Sequence, residues 1–157
     1  MSTSVQDEGG PPQVLPTAMQ PRTSSGPITI LLVDDDDELR GLFRSLLTAS
    51  GFTVLEADNG LEALLTSVQN HGAIDLLITD LEMPGISGVE LGQAFNDLWP
   101  SVNVLYVSGS PRDGIGDQLT ADCAFLQKPF AAELLINAIG RALVRGQRTA
   151  QTCSEPR

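Results

Sequence analysis

Short apolar runs alternate along this chain with longer segments whose apolar positions recur every three or four residues. Ile28 to Val33 has the length and composition of a buried strand. Leu39, Leu42, Phe43, Leu46 and Leu47 then fall on one helical stripe, which Gly51 ends. The unit repeats: Thr53 to Ala57 predicts a second strand, and after Gly60 the residues Leu61, Leu64, Leu65 and Val68 predict the buried face of a second helix. Ile74 to Thr79 predicts a third strand. Past a loop at Pro84 and Gly85, the residues Leu91, Ala94, Phe95 and Leu98 predict a third helix stopped by Pro100. Val102 to Val107 and Cys123 to Leu126 predict two more strands, and Leu134, Leu135, Ala138, Ile139, Ala142 and Leu143 a last amphipathic helix. Between those strands, Asp113 to Asp122 occupies the place of a fourth helix. Gly114 and Gly116 there each cost about 1 kcal/mol relative to Ala, so that segment is expected to be short or irregular.

Five strands alternating with helical segments imply a parallel sheet covered on both faces, because every crossover passes over the sheet before the next strand begins. A closed barrel needs eight such units. The expected fold is therefore a single α/β domain, a doubly wound five-stranded parallel sheet of flavodoxin-like order 2-1-3-4-5, over residues 28–145. Residues 1–27 carry five prolines among Ser, Thr, Gly and Gln and read as a disordered arm. Residues 146–157 read as a flexible tail.

Composition narrows the function classes. Nine Lys and Arg against twenty Asp and Glu give a net charge of −11, which repels nucleic acid and anionic membranes. Arg141, Arg145 and Arg148 read as cations at a helix C-terminus, where the dipole favours them. No apolar run reaches the ~18 residues of a membrane span, and no secretory signal opens the chain, so a cytoplasmic location is expected. Cys123 and Cys153 lie too far apart for a metal or redox motif and read as free thiols. His71 is the only histidine, which excludes multi-histidine metal sites.

In the expected fold, ligands bind beyond the carboxyl ends of the strands, where the strand order reverses between strands 1 and 3. Asp34 to Asp37 stand at the end of strand 1, Asp80 at the end of strand 3, Ser108 after strand 4 and Lys128 after strand 5. Each pair of carboxylates 4 Å apart costs ~4 kcal/mol at an effective dielectric near 20, so such a crevice calls for a cation. Oxygen ligands alone select a hard ion such as Mg2+. An open metal position, the Lys128 cation and the Ser108 hydroxyl would together receive phosphoryl oxygens, which makes Asp80 a natural nucleophile.

The segments ILLVDDDDELR, DLLITDLEMPGISGVEL, VLYVSGS and FLQKPF resemble, in order and spacing, the successive signatures of response-regulator receiver domains of two-component signalling. VLYVSGS with FLQKPF looks most like receivers of hybrid histidine kinases. The resemblance implies a phosphoacceptor, not a conventional enzyme, that catalyses its own phosphorylation and dephosphorylation. It makes Asp80 the phosphorylated residue, Asp34 and Asp35 the acidic pair that binds Mg2+ with Asp80, and the Glu82 backbone carbonyl a further ligand. Within that pair, Asp35 binds the ion directly and Asp34 acts mainly through a bound water. Ser108 becomes the switching hydroxyl, Lys128 the site lysine, and Pro129 a proline commonly preceded by a cis peptide. Asp36, Asp37 and Glu38 read instead as acids favoured at a helix N-terminus. Gly85 and Gly88 read as backbone geometry, Met83 as packing, and Phe125 either as core or as an aromatic that reports the switch. The implied partners are a sensor histidine kinase or histidine phosphotransfer protein and a downstream protein target. The implied state is a monomer or a phosphorylation-dependent dimer, with no DNA-binding module following the last helix.

Two rivals use the same residues. A phosphatase similar to the haloacid-dehalogenase family would pair Asp34 with Asp36, or Asp35 with Asp37, and draw on Gly116, Asp117 and Asp122. A receiver-like module that no longer accepts phosphate would act through protein contacts alone.

Overall fold

The computed structural model describes residues 26–70, 73–110 and 124–146. Five strands, β1 (Thr29–Val33), β2 (Thr53–Ala57), β3 (Leu76–Asp80), β4 (Asn103–Ser108) and β5 (Ala124–Gln127), form one sheet of order β2-β1-β3-β4-β5. Every neighbouring pair is parallel, as crossover connections require. The helices are α1 (Asp37–Ala49), α2 (Gly60–Gln69), α3 (Gly88–Leu98) and α4 (Ala132–Gly146). Asp113 to Asp122, His71, Cys123 and Cys153 lie outside the described residues.

Side chains alternate across each strand, so successive residues feed two separate cores. Ile30, Leu32, Leu76 and Ile78 pack on one face with Phe43 and Leu47 of α1 and Leu135, Ala138 and Ile139 of α4. Leu31, Val33 and Leu77 pack on the other with Ala63 of α2 and Leu91 and Phe95 of α3. β3 is buried along its whole length because helices cover both its faces and strands flank both its edges.

Local capping sets where the helices begin. The Asp36 side chain accepts from the amides of Glu38 and Leu39, Asn59 caps α2, and Ser87 with Glu90 forms a capping box on α3. Asp37 and Glu38 sit in the first turn of α1, as their reading as helix-start acids implied. Gly51 turns the chain out of α1 at φ 98°, a conformation costly for any residue with a Cβ.

Several expectations are corrected, among them that β1 begins at Thr29 rather than Ile28 and β5 ends at Gln127 rather than Leu126. β3 begins at Leu76 rather than Ile74, and β4 spans Asn103–Ser108 rather than Val102 to Val107. Ile74 and Val102 are buried just before their strands, which is why they read as strand. The face of α2 is also different. Gly60, Ala63 and Ser67 point inward, while Leu61, Leu65 and Val68 are exposed and only Leu64 packs partly on the core. A Cβ on Gly60 would stand 2.7 Å from the Ile86 side chain, so α2 lies too close to its neighbours for large inward residues. Leu42, Leu98 and Leu134 are likewise exposed, each at the margin of its stripe.

Candidate functional site

The carboxyl ends of β1, β3, β4 and β5 gather the chemistry-bearing residues. β1 ends in Val33, so the next residue, Asp34, emerges at the top of the sheet and is buried there at 1% exposure. Its Oδ1 accepts from the Asp36 amide at 2.9 Å. Among the described residues, Oδ2 finds no hydrogen-bond donor. Asp80 is the last residue of β3, also buried, and its Oδ1 accepts from the Glu82 amide at 3.3 Å. Carboxylate oxygens of Asp34, exposed Asp35 and Asp80 all lie within 4.8 Å of one another.

Lys128 leaves the end of β5 and reaches back over the sheet. Its Nζ stands 3.3 Å from Asp80 Oδ2 and 3.5 Å from Asp34 Oδ2. The Lys128 amide donates to the Ser108 carbonyl at 2.7 Å, which ties the lysine's loop to the end of β4. The Lys128–Pro129 peptide is cis. One cation against three carboxylates leaves the crevice with an excess of negative charge. Burial pushes the Asp80 carboxyl above its ordinary pKa; Lys128 opposes that shift and the Asp34 charge adds to it. A buried Asp34 oxygen with no hydrogen bond and only the shared Lys128 cation beside it, an all-oxygen donor set and three carboxylates against that one cation fit a hard divalent ion.

The loop after Asp80 is shaped by glycine at two points. Gly85 has φ 78°, and a Cβ on Gly88 would overlap the Asp80 carbonyl oxygen and stand 2.7 Å from Leu81 Cα. The start of α3 is thereby pressed against the end of β3. Met83 is buried and packs in the core. Phe125 packs, half-buried, beside Leu81 and Tyr106.

Two features escaped the sequence. Arg40, on α1, donates from Nη1 to the Asp34 carbonyl at 2.7 Å, from Nη2 to Asp37 at 2.7 Å and from Nε to Glu56 of β2 at 3.2 Å. It braces the loop that carries Asp34 and Asp35. The Glu82 carboxylate accepts from the Ser108 hydroxyl at 3.2 Å and from the Ser110 hydroxyl at 2.9 Å. The Asp-x-Asp pairing weighed for a phosphatase is not assembled. Asp36 caps α1 and Asp37 pairs with Arg40, so only the first member of each pair belongs to the acidic cluster. Gly116, Asp117 and Asp122 lie outside the described residues.

This strand order is that of the flavodoxin-like α/β class, here with an acidic crevice and a lysine at the carboxyl ends of the strands. Residues 30–140 match the response regulator receiver domain, and the chain belongs to that family of two-component signalling proteins. It is 34% identical over 121 residues to the sensor kinase CckA of Brucella abortus (strain 2308), a match covering 76% of this chain and 13% of that kinase. It is 29% identical over 117 residues to the response regulator receiver protein CpdR of the same organism, covering 73% of this chain and 96% of CpdR. The crystal structure of the receiver domain from the hybrid histidine kinase CckA superposes with a TM-score of 0.62 at 36% identity, over 73% of this chain and 98% of that one. The chain thus spans a small part of the kinase and nearly all of CpdR.

Proposed function

We propose that Asp80 accepts a phosphoryl group from a phosphohistidine on a sensor kinase or histidine phosphotransfer protein, and that the resulting change at Ser108 alters contacts with a downstream protein. The observation that supports this reading is the placement of Lys128 Nζ at 3.3 Å from Asp80 Oδ2 and 3.5 Å from the buried Asp34 Oδ2, so that one cation is shared by two carboxylates. Asp80 attacks phosphorus, a P–O bond forms as the P–N bond to the donor imidazole breaks, and the imidazole leaves with the electron pair. Lys128 neutralises charge on the phosphoryl oxygens, and the Glu82 amide fixes the orientation of the carboxylate by holding Oδ1. Asp34, Asp35, Asp80 and the Glu82 carbonyl are the groups that would hold Mg2+, which when bound draws off charge that the lysine alone does not balance. The same site returns the group to water, so the chain terminates its own signal. We assign no output beyond protein contact and place the domain in the cytoplasm with its kinase.

Intact-protein mass after incubation with Mg2+ and acetyl phosphate tests this. A hydroxylamine-labile gain of ~80 Da in the wild type, absent from Asp80→Asn, is the expected result for an aspartyl phosphate. No gain in the presence of Mg2+ favours the interaction-only module, and a gain retained in Asp80→Asn but lost from Asp34→Asn moves the nucleophile to the end of β1.

A further inference from the structure

Ser108 is fully buried and carries one hydroxyl proton, and in this structure that proton goes to Glu82 Oε2 at 3.2 Å. The hydroxyl oxygen in turn accepts from the Ser110 amide at 3.0 Å, and the Ser110 hydroxyl donates to the same Glu82 oxygen at 2.9 Å. Glu82 is anchored on its other side, because its amide donates to Asp80 Oδ1. One residue therefore joins the carboxylate at the end of β3 to the hydroxyl at the end of β4. A hydroxyl has a single proton to give. Ser108 donates it either to Glu82 or to a phosphoryl oxygen on Asp80, and never to both.

We propose that the Glu82 carboxylate is a latch on Ser108, a positioning residue that holds the hydroxyl in the phosphate-free arrangement and so opposes the phosphorylated one. The proposal rests on Asp80 as the acceptor and adds a determinant of how readily it is occupied. The bond is charge-assisted, which makes it stronger than one between neutral groups. It is also only part-buried, which keeps its effect moderate. The Ser110 hydroxyl stiffens the latch by fixing the carboxylate that Ser108 faces.

The test compares wild type, Glu82→Ala, Glu82→Gln, Ser108→Ala and the Glu82→Ala/Ser108→Ala double variant. The readouts are the rate of mass gain from acetyl phosphate and the affinity for beryllofluoride in Mg2+. Removing the latch is expected to raise both by about three- to tenfold, the scale of one such hydrogen bond. Glu82→Gln keeps an acceptor oxygen and is expected to fall between wild type and Glu82→Ala. In the Ser108→Ala background the same Glu82→Ala change is expected to have almost no effect. An equal effect with and without Ser108, or Gln behaving as Ala, would show that Glu82 acts by its charge alone and would overturn the latch. A phosphate-free readout separates this outcome from failure of Asp80 as acceptor. Hydrogen exchange at the Ser110 amide, measured by NMR without phosphodonor, is expected to quicken in Glu82→Ala as the released Ser108 hydroxyl rotates away. Unchanged exchange there overturns the latch even if the wild type takes no phosphate, and absence of an Asp80-dependent mass gain overturns the acceptor whatever the amide does.

Discussion

Asp80 and Asp34 are buried side by side with one lysine between them. The Asp80 carboxyl is pushed upward first by burial, against the pull of Lys128 and with the push of Asp34. Between the ordinary aspartate pKa and the raised one, the folded chain holds more protons than the unfolded chain. Stability contributed by this group is thus full below the ordinary value and lost as pH rises through the raised one. Burial makes the ionised form of Asp80 costly when no divalent metal is bound. Asp80→Asn in EDTA is therefore expected to stabilise the domain at pH 7 by about 1 kcal/mol, a rise in Tm of a few degrees. The advantage should shrink as the pH approaches about 4. Thermal unfolding of both proteins across that pH range checks it, and a destabilised Asp80→Asn would mean that the Lys128 bond outweighs burial.

At the scale of elements, α2 shows how packing distance overrides hydrophobic pattern. Its inward positions, Gly60, Ala63 and Ser67, are small, and its larger apolar residues Leu61, Leu65 and Val68 face outward. A closely seated helix has no room for added volume on its inner face. Ala63→Leu is expected to cost about 1–3 kcal/mol through overpacking, whereas Leu65→Gln should stay within about 0.5 kcal/mol. Denaturant midpoints of the two variants decide the matter. If the costs were reversed, the helix would sit rotated by roughly a third of a turn, with the stripe of Leu61, Leu65 and Val68 turned inward. On the opposite face the large stripe residues Phe43, Leu47, Leu135 and Ile139 do point inward, while Leu42 and Leu134 at the stripe margins stay exposed.

The whole molecule is strongly acidic, and its functional crevice concentrates that charge at one end of the sheet. No helix among the described residues is long and apolar enough to cross a membrane. Three carboxylates gathered from the ends of two strands repel one another, and a divalent cation that bound the folded state alone would stabilise it. At a hundredfold excess over its Kd, Mg2+ is expected to stabilise the domain by about 2.7 kcal/mol. Asp34→Asn should lose most of that response, as thermal unfolding with Mg2+ and with EDTA would report. An undiminished response in Asp34→Asn would place the ion elsewhere on the acidic surface.

Much of this was written in local pattern. Ile28 to Val33, Thr53 to Ala57 and their successors alternate with helical stripes; that alternation implied a parallel sheet covered on both faces, and the order expected for it, 2-1-3-4-5, is the one observed. Because a parallel sheet brings the same ends of its strands together, the neighbourhood of Asp34, Asp80, Ser108 and Lys128 followed from where each stood after its apolar run. What periodicity does not encode is how closely two elements approach, or which side chain reaches across to which. A Cβ on Gly60 of α2 would stand 2.7 Å from the Ile86 side chain and one on Gly92 of α3 would overlap the buried Tyr106 hydroxyl, constraints invisible in any of these segments alone. The reach of Arg40 to the Asp34 carbonyl and to Glu56 depends on β1 and β2 lying side by side. The bond from Ser108 to Glu82 spans 26 positions and exists only because β3 and β4 end at the same height. Sequence determined which groups arrive at the crevice, since that is a matter of element order. Tertiary structure decided their partners, since hydrogen bonds are fixed by distances of a few tenths of an ångström that no local pattern carries.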